Sequence, residues 1–394
     1  MKKILITGLT GFVGSWLSII LNSEGYKIYG ISLPNKDPLK IYNKSKVKKF
    51  SNSYICNILD YNKLEEKFKK IKPDFVVHLA AEPIVLNAYK DPLNTLYTNI
   101  LGTLNIIKLS SIYGSGKILN FTSDKVYKNN EKNYSFNEND ILLGNDPYSF
   151  SKSCSDLIGQ NLDKYLKNIQ ISTIRCGNII GGGDWSDFRL IPDYYRSYIG
   201  KKNLIIRNSN HVRPWQNVII PISIIHQIIK KNKLKMFDTF NIGPNNKNLN
   251  VRTVVKKLNK INNNSVNIKF LKKKQNKESK ILKLNISKSK KIFKYPKKNL
   301  DADLIKINEW YMNSFSKKNM HDYTMQQIED YLKKLLYLLG FKFYKFINCF
   351  MYKTNMIILE AMMTSNQQSF FHNFICIFIS CLFDTINFLK TRLS

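Results

Sequence analysis

Ile4-Leu5-Ile6-Thr7-Gly8-Leu9-Thr10-Gly11-Phe12-Val13-Gly14 decides the fold. A short β-rich run, Ile4 to Thr7, enters a turn with glycine at every third position. An apolar helical run, Ser15 to Asn22, leaves it, and Lys27-Ile28-Tyr29-Gly30-Ile31 reads as a second strand. Strand, glycine turn, helix and strand make one βαβ unit. The glycines permit a tight turn and close backbone approach, and the helix start offers free N–H groups to a pyrophosphate. The spacing is G-x-x-G-x-x-G rather than G-x-G-x-x-G. The second strand runs out through Ile31-Ser32-Leu33-Pro34, with no acid before Asp37 to take a ribose. On the residues alone, NAD and NADP both stay open. Met1-Lys2-Lys3 before an apolar stretch imitates a secretory leader, but the internal glycines and the missing small-x-small site argue against one.

The alternation continues along the chain. Phe75-Val76-Val77-His78-Leu79 is a buried-strand run ending in Ala80-Ala81, small enough for a cofactor to lie against the backbone. A helix is expected over about 92–111, containing Asn99. Lys117 to Thr122 is another strand, ending in Ser123-Asp124-Lys125. A helix begins at Tyr148, and Ile169 to Cys176 is the next strand. This pattern predicts an α/β fold: a Rossmann-type doubly wound parallel sheet with a smaller C-terminal substrate-binding domain. The expected division is a Rossmann domain over 1–176, with later segments contributing to the sheet, and a mainly substrate-binding region over 177–333. The segment 262–298 is highly basic and reads as a solvated α+β surface. An apolar tail over 334–394 carries no motif. Its longest apolar core, Phe374 to Phe383, is about half of the ~20 residues a bilayer span needs and contains Ser380. A membrane role is therefore not expected. A helical appendage, an interfacial anchor and a reading-frame extension stay open.

The 394 residues carry a formal net charge of +34. Only seven of the 62 cations are arginines, and the lysines are scattered among Asn and Ile. Nucleic-acid readers use clustered Arg for bidentate contacts, so the charge names no nucleic-acid partner. The six cysteines form no CxxC pair and no zinc-spaced cluster with the five histidines. No metal and a reducing, cytoplasmic compartment are expected.

Tyr148 and Lys152 lie one helical turn apart, on one face. A neighbouring ammonium favours the phenolate, so Lys152 is expected to lower the Tyr148 phenol and fit it for taking a hydroxyl proton. With the glycine turn and the Ala-Ala and Ser strand ends, this chain resembles the extended short-chain dehydrogenase/reductase family. Within it, the chain is similar to the nucleotide-sugar 4,6-dehydratases, the CDP-glucose branch in particular. The resembling stretches include TGLTGFVGSWLS (7–18), HLAAEP (78–83), TNILGT (98–103), TSDKVY (122–127), DPYSFSK (146–152), GNIIGGGDW (177–185), RLIPD (189–193), VRPWQNV (212–218) and EWY (309–311), within about residues 1–333.

The resemblance implies a role for each matching position. Bound NAD would meet Gly8, Thr10, Gly11, Phe12, Val13, Gly14, Asn57, Ile58, Leu79, Ala80, Ala81, Asn99, Tyr148 and Lys152. Tyr148 with Ser123 would serve oxidation at C4 of the sugar. Lys125 would take the C5 proton, and Asp124 would protonate the departing C6 hydroxyl, its pKa raised by a dry site. Asp124-Lys125 separates a dehydratase from an epimerase, which needs neither group. Arg189 and Arg213 would hold the diphosphate of a nucleotide sugar such as CDP-glucose, with Glu82 and Asn178 beside it. Two departures stand out: Asn57 where the family often has Asp, and Glu82 where it usually has Gln. The family commonly dimerises through helices beside the Tyr-Lys helix and feeds deoxysugar synthesis for surface polysaccharide.

Overall fold

The computed structural model describes residues 1–331, apart from 167, 234–236, 245–247, 272–277, 297–298 and 317. The expected tail over 334–394 therefore lies outside the described residues.

Six strands come early: β1 (Lys3–Thr7), β2 (Lys27–Ser32), β3 (Ser51–Ile55), β4 (Phe75–His78), β5 (Lys117–Ser123) and β6 (Gln170–Cys176). A late strand, Thr239–Ile242, completes the sheet. From one edge the order is Thr239–Ile242, β6, β5, β4, β1, β2, β3, and every neighbouring pair is parallel. The order reverses between β1 and β4, which opens a crevice at their carboxyl ends. The inner strands are buried on both faces. All four residues of β4 are buried, and so are Ile4 to Thr7 of β1. Continuous apolar runs are what such positions select. β3 escapes that signature. Its sequence SNSYI is polar and half-exposed because it is an edge, so hydrophobic patterning does not announce it.

The helix expected over 92–111 is real but broken. Pro92–Leu96 and Gly102–Tyr113 are α-helical, and a π-turn over Tyr97–Leu101 lies between them. Such turns recur at functional sites. Here the turn carries Asn99, which is buried.

Two distant motifs meet away from the sheet. Trp310 lies so close to Gly182 that a Cβ there would stand 2.1 Å from its ring. The Trp16 Nε1–H donates to the Gly182 carbonyl at 3.0 Å, and the Tyr311 hydroxyl donates to the Asp184 carbonyl at 2.5 Å. The glycines of GGGDW are therefore a seat for the indole of EWY, and they lock the loop that carries Asp184 and Arg189.

The segment 262–298 holds both strand and helix, Ile268–Phe270 and Ser287–Ile292, and part of it is buried rather than solvated. Ile268–Phe270 pairs with Leu204–Ile206, Leu282 is 1% exposed, and bridges at Ile281 and Leu284 tie the stretch to Val212 and Phe136. Among the described residues no helix is long and apolar enough to cross a membrane.

Candidate active site

Parallel register builds the cofactor end. Thr7 pairs with His78, so the chains leave the sheet side by side and Gly8 meets Ala80. Gly8 has φ +75°, and a Cβ there would stand 2.9 Å from the Ala80 nitrogen. Only glycine fits on both counts. The Thr7 hydroxyl accepts from the Ala80 N–H at 3.2 Å and lies 2.7 Å from His78 Nδ1. His78 Nε2 meets the Thr103 hydroxyl at 3.1 Å. Burial, and secondarily the Lys152 charge, push His78 down to about 3, so it stays neutral and structural.

Ser123, Asp124 and Lys125 leave the end of β5 in a single 3-10 turn, Asp124–Val126, which the Ser123 hydroxyl caps by accepting from the Lys125 N–H at 3.2 Å. Tyr148 enters on the helix Pro147–Tyr165. Asp146 caps that helix, accepting from the Ser149 N–H at 2.9 Å, and proline fills its first position. The Ser153 hydroxyl donates to the Val126 carbonyl at 2.8 Å, pinning the helix to the Asp124 turn.

One cavity of about 660 Å³ brings nearly all of these residues together: the glycine turn, Asn57-Ile58, Leu79 to Glu82, Ser123 to Lys125, Tyr148, Lys152, Asn178, Arg189 and Arg213. Asn99 is the exception. Its amide donates to the Glu82 carbonyl at 3.2 Å and to Ser151 at 2.8 Å, and its oxygen accepts from the Glu82 N–H at 2.9 Å. It braces the Glu82 backbone behind the cavity wall instead of lining it. Glu82 itself is turned to its own loop, accepting from the Ile84 N–H at 3.2 Å and from Asn87 at 3.3 Å. Asn57 likewise caps locally, accepting from the Leu59 N–H at 3.0 Å.

The electrostatics depart from expectation at Tyr148. Burial pushes its phenol up to about 12, against a hydrogen bond with Ser123 and the charge of Arg189, which pull it down. Lys152 does not produce the expected lowering. Burial brings its own ammonium down to about 8, and its Nζ donates to the Phe121 carbonyl at 3.2 Å. Desolvation is the largest cause at both groups. Asp124 is 3% exposed, and burial raises its carboxyl above the usual range although Lys125 and Arg213 oppose this. Ser123 donates to its Oδ1 at 3.2 Å, while Oδ2 has no partner.

Arg189 lies 3.4 Å from Asp184, and its charge reaches Tyr148, so it borders the reacting end of the cavity. Arg213 is 4% exposed, with Nη1 bonded to the Val212 and Lys280 carbonyls at 2.9 and 3.2 Å. The residue that motif reasoning missed is Glu278, whose carboxylate lies 3.1 Å from Lys125 and 3.6 Å from Arg213. The available signal was its isolation: it is the sole acid between 262 and 298.

The cradle at Gly8 and Ala80 suits a pyrophosphate, and Asn57-Ile58 with Ser32 and Leu33 can flank an adenosine, so the residues present fit a dinucleotide. Among the described residues no cluster of three His, Cys, Asp or Glu could hold a metal ion.

Comparison with known proteins agrees with this geometry. The family described as GDP-mannose 4,6 dehydratase matches residues 5–308. A CDP-glucose 4,6-dehydratase of Salmonella typhimurium is 31% identical over 345 residues, covering 84% of this chain and 96% of that protein. A dTDP-glucose 4,6-dehydratase of Bacillus anthracis, solved in complex with NAD, superposes with a TM-score of 0.67 at 24% identity, over 79% of this chain and 97% of that one. A UDP-glucose 4-epimerase of Thermotoga maritima superposes at 0.70 with 22% identity, over 80% and 100%. Fold, cavity and sequence converge: the chain belongs to the GDP-mannose 4,6-dehydratase family, among the extended short-chain dehydrogenases/reductases.

Proposed function

We propose that this chain catalyses the NAD-dependent 4,6-dehydration of a nucleoside diphosphate glucose, with CDP-glucose as substrate and CDP-4-keto-6-deoxyglucose as product. The observation that carries the reading is Asp124. A buried carboxyl with an unpartnered oxygen, beside Lys125 and in one cavity with Tyr148, is the equipment for eliminating water and is superfluous for epimerisation.

NAD, when bound, supplies the acceptor for hydride from C4 and later returns it to C6. Tyr148, hydrogen-bonded to Ser123, receives the C4 hydroxyl proton, and Lys152 stands beneath on the same helix face. The new ketone acidifies C5–H, whose proton passes to Lys125. Asp124, kept protonated by its dry site, hands its proton to the C6 hydroxyl, which leaves as water, and once hydride has reached C6 the Lys125 ammonium returns a proton to C5. Arg189 and Arg213, both on the wall of this one cavity, are assigned to the substrate diphosphate, with Asn178 and Glu82 shaping the pocket. The region 177–333 chiefly holds the sugar nucleotide, and the enzyme works in the cytoplasm. The 31% identity to a CDP-glucose enzyme supports the choice of base. Incubation with CDP-glucose and with dTDP-glucose, following keto-sugar absorbance, tests it. Product from CDP-glucose is expected. Product from dTDP-glucose alone would reassign the substrate, and none from either would sink the enzymatic reading.

A homodimer belongs to the same proposal. Leu93, Tyr97 and Leu101 recur at helical spacing and are 61%, 53% and 45% exposed. Phe150 and Leu157 continue the apolar face on the neighbouring Tyr148 helix, at 44% and 43%. Exposed apolar stripes on paired helices favour a matching copy. Sedimentation velocity of Leu93→Glu/Leu157→Glu is expected to give a monomer where the parent chain gives a dimer. An unchanged profile would move the interface elsewhere.

A further inference from the structure

Glu278 stands outside every recognised motif, yet its side chain turns into the cavity. Lys125 Nζ donates to its Oε1 at 3.1 Å, and its Oε2 lies 3.6 Å from Arg213 Nη2. Arg213 cannot follow the carboxylate. Its Nη1 is bound to two carbonyls, its Nη2 lies 3.0 Å from His211 Nδ1, and its side chain is 5% exposed. The guanidinium therefore fixes the carboxylate from behind, and the long, unbranched Lys125 side chain is the partner being held. The pair is shielded, with 15% of the Lys125 side chain and 27% of the Glu278 side chain exposed. In such a site an ionised carboxylate orients a donating amine more strongly than at an open surface.

We propose that Glu278 is a positioning residue for the elimination: it acts through Lys125, aiming Nζ and stabilising the ammonium that forms as the C5 proton arrives. The inference rests on the reading of Lys125 as the C5 base. In the step itself the C5–H bond breaks, and its proton joins the Lys125 nitrogen. The electron pair moves toward the C4 carbonyl and then forms the C5–C6 double bond as the C6–O bond breaks. The leaving oxygen takes the Asp124 proton, and Glu278 exchanges no atoms. Lys125 enters the step as the neutral amine, its N–H held by Glu278, and two cations, Arg213 and Arg189, line the same cavity. Glu278 supplies the negative charge that offsets these cations once the C5 proton has turned the Lys125 amine into an ammonium.

The test uses the full chain with NAD and CDP-glucose and compares Glu278→Gln with Glu278→Asp. The Gln variant keeps the shape and loses the charge. Its kcat is expected to fall on the order of 100-fold, as for a misplaced reacting group, with KM nearly unchanged. The isotope effect with C5-deuterated substrate rises, because proton removal from C5 becomes limiting. Absorbance of the reduced nicotinamide builds up within a single turnover. The Asp variant, which keeps the charge at shorter reach, recovers part of the rate. Thermal unfolding checks that each variant folds. If the Gln variant is not recovered folded, the isotope effect of the Asp variant decides alone. An unchanged kcat overturns the inference. So does an equal loss in both variants with an unchanged isotope effect, the pattern of a structural residue. Lys125→Met separates the two levels. If that variant still makes product, or if the parent chain makes none, the underlying reading falls. If the parent is active and Lys125→Met inactive while Glu278→Gln is normal, only the role of Glu278 falls.

Discussion

Asp124→Asn stops water loss while C4 oxidation persists, and keto-deoxysugar formation falls by about 10²–10⁴-fold, the range for losing a positioned general acid. Asn reproduces the shape of a protonated carboxyl but has no acidic proton to give the C6 hydroxyl. Tyr148, Ser123 and Lys152 are untouched, so the variant should accumulate reduced nicotinamide and a 4-keto sugar that still carries its C6 hydroxyl. Mass spectrometry separates that species, two hydrogens lighter than the substrate, from the 4-keto-6-deoxy product, which is one water lighter than the substrate. The stalled variant also isolates the first half-reaction. With the Tyr148 phenol at about 12, the phenolate fraction climbs throughout the neutral range, so C4 oxidation should quicken as pH rises. Stability supplies an independent check. Burial raises the Asp124 carboxyl, so the folded state holds that proton more tightly than the unfolded chain, and this group costs stability as pH rises past its unfolded value. Asn removes the cost, and the variant should melt no lower than the parent at neutral pH. Unimpaired dehydration in Asp124→Asn would remove Asp124 from the chemistry.

Much of this machinery is legible in the sequence because local rules enforce it. The glycine turn follows from the one backbone conformation that lets β1 run alongside Ala80. The inner strands are legible because burial on both faces favours apolar runs, and the polar residues admitted there, such as His78 and Arg175, are hydrogen-bonded. Tyr148 and Lys152 follow from helical spacing, and Asp146-Pro147 announces where that helix begins. What stays hidden depends on contacts between distant segments. Glu278 reaches Lys125 across 153 positions, and no short motif encodes such a meeting. The raised Tyr148 phenol is hidden for the same reason. Spacing reveals that Lys152 is near, but only packing reveals how much water both groups have lost. β3 and the π-turn at Asn99 fail differently. An edge strand needs no apolar alternation, and a single inserted residue in a helix leaves its periodicity almost intact.

Asp156→Ala should cost about 3–5 kcal/mol of stability, the usual penalty for removing one partner from a buried ion pair. Asp156 is fully buried on the Tyr148 helix and takes Arg175 of β6 in a two-pronged grip, Nε to Oδ2 at 2.9 Å and Nη2 to Oδ1 at 2.8 Å. The Thr122 hydroxyl of β5 adds a bond to Oδ2 at 2.7 Å. From the far side, Arg175 Nη1 donates to the Tyr127 hydroxyl at 2.8 Å, and that hydroxyl donates to Asn241 Oδ1 of the edge strand at 2.6 Å. One guanidinium thus ties the catalytic helix, two central strands, the loop after Asp124 and the sheet edge. Alanine at 156 leaves that charge in a dry interior without its carboxylate. Calorimetry should show a melting point lower by roughly 5–10 °C, given the few degrees per kcal/mol typical of large domains. The double variant Asp156→Leu/Arg175→Met removes both charges and should recover most of the loss, because a buried pair replaced by apolar groups is often near neutral. Activity then separates stability from placement. If the double variant melts like the parent but turns over slowly, the ion pair serves to fix Tyr148 two turns along the helix. Recovery of both says that packing alone sets that position. A single Asp156→Ala variant that melts like the parent would show that Arg175 finds water, contrary to its burial.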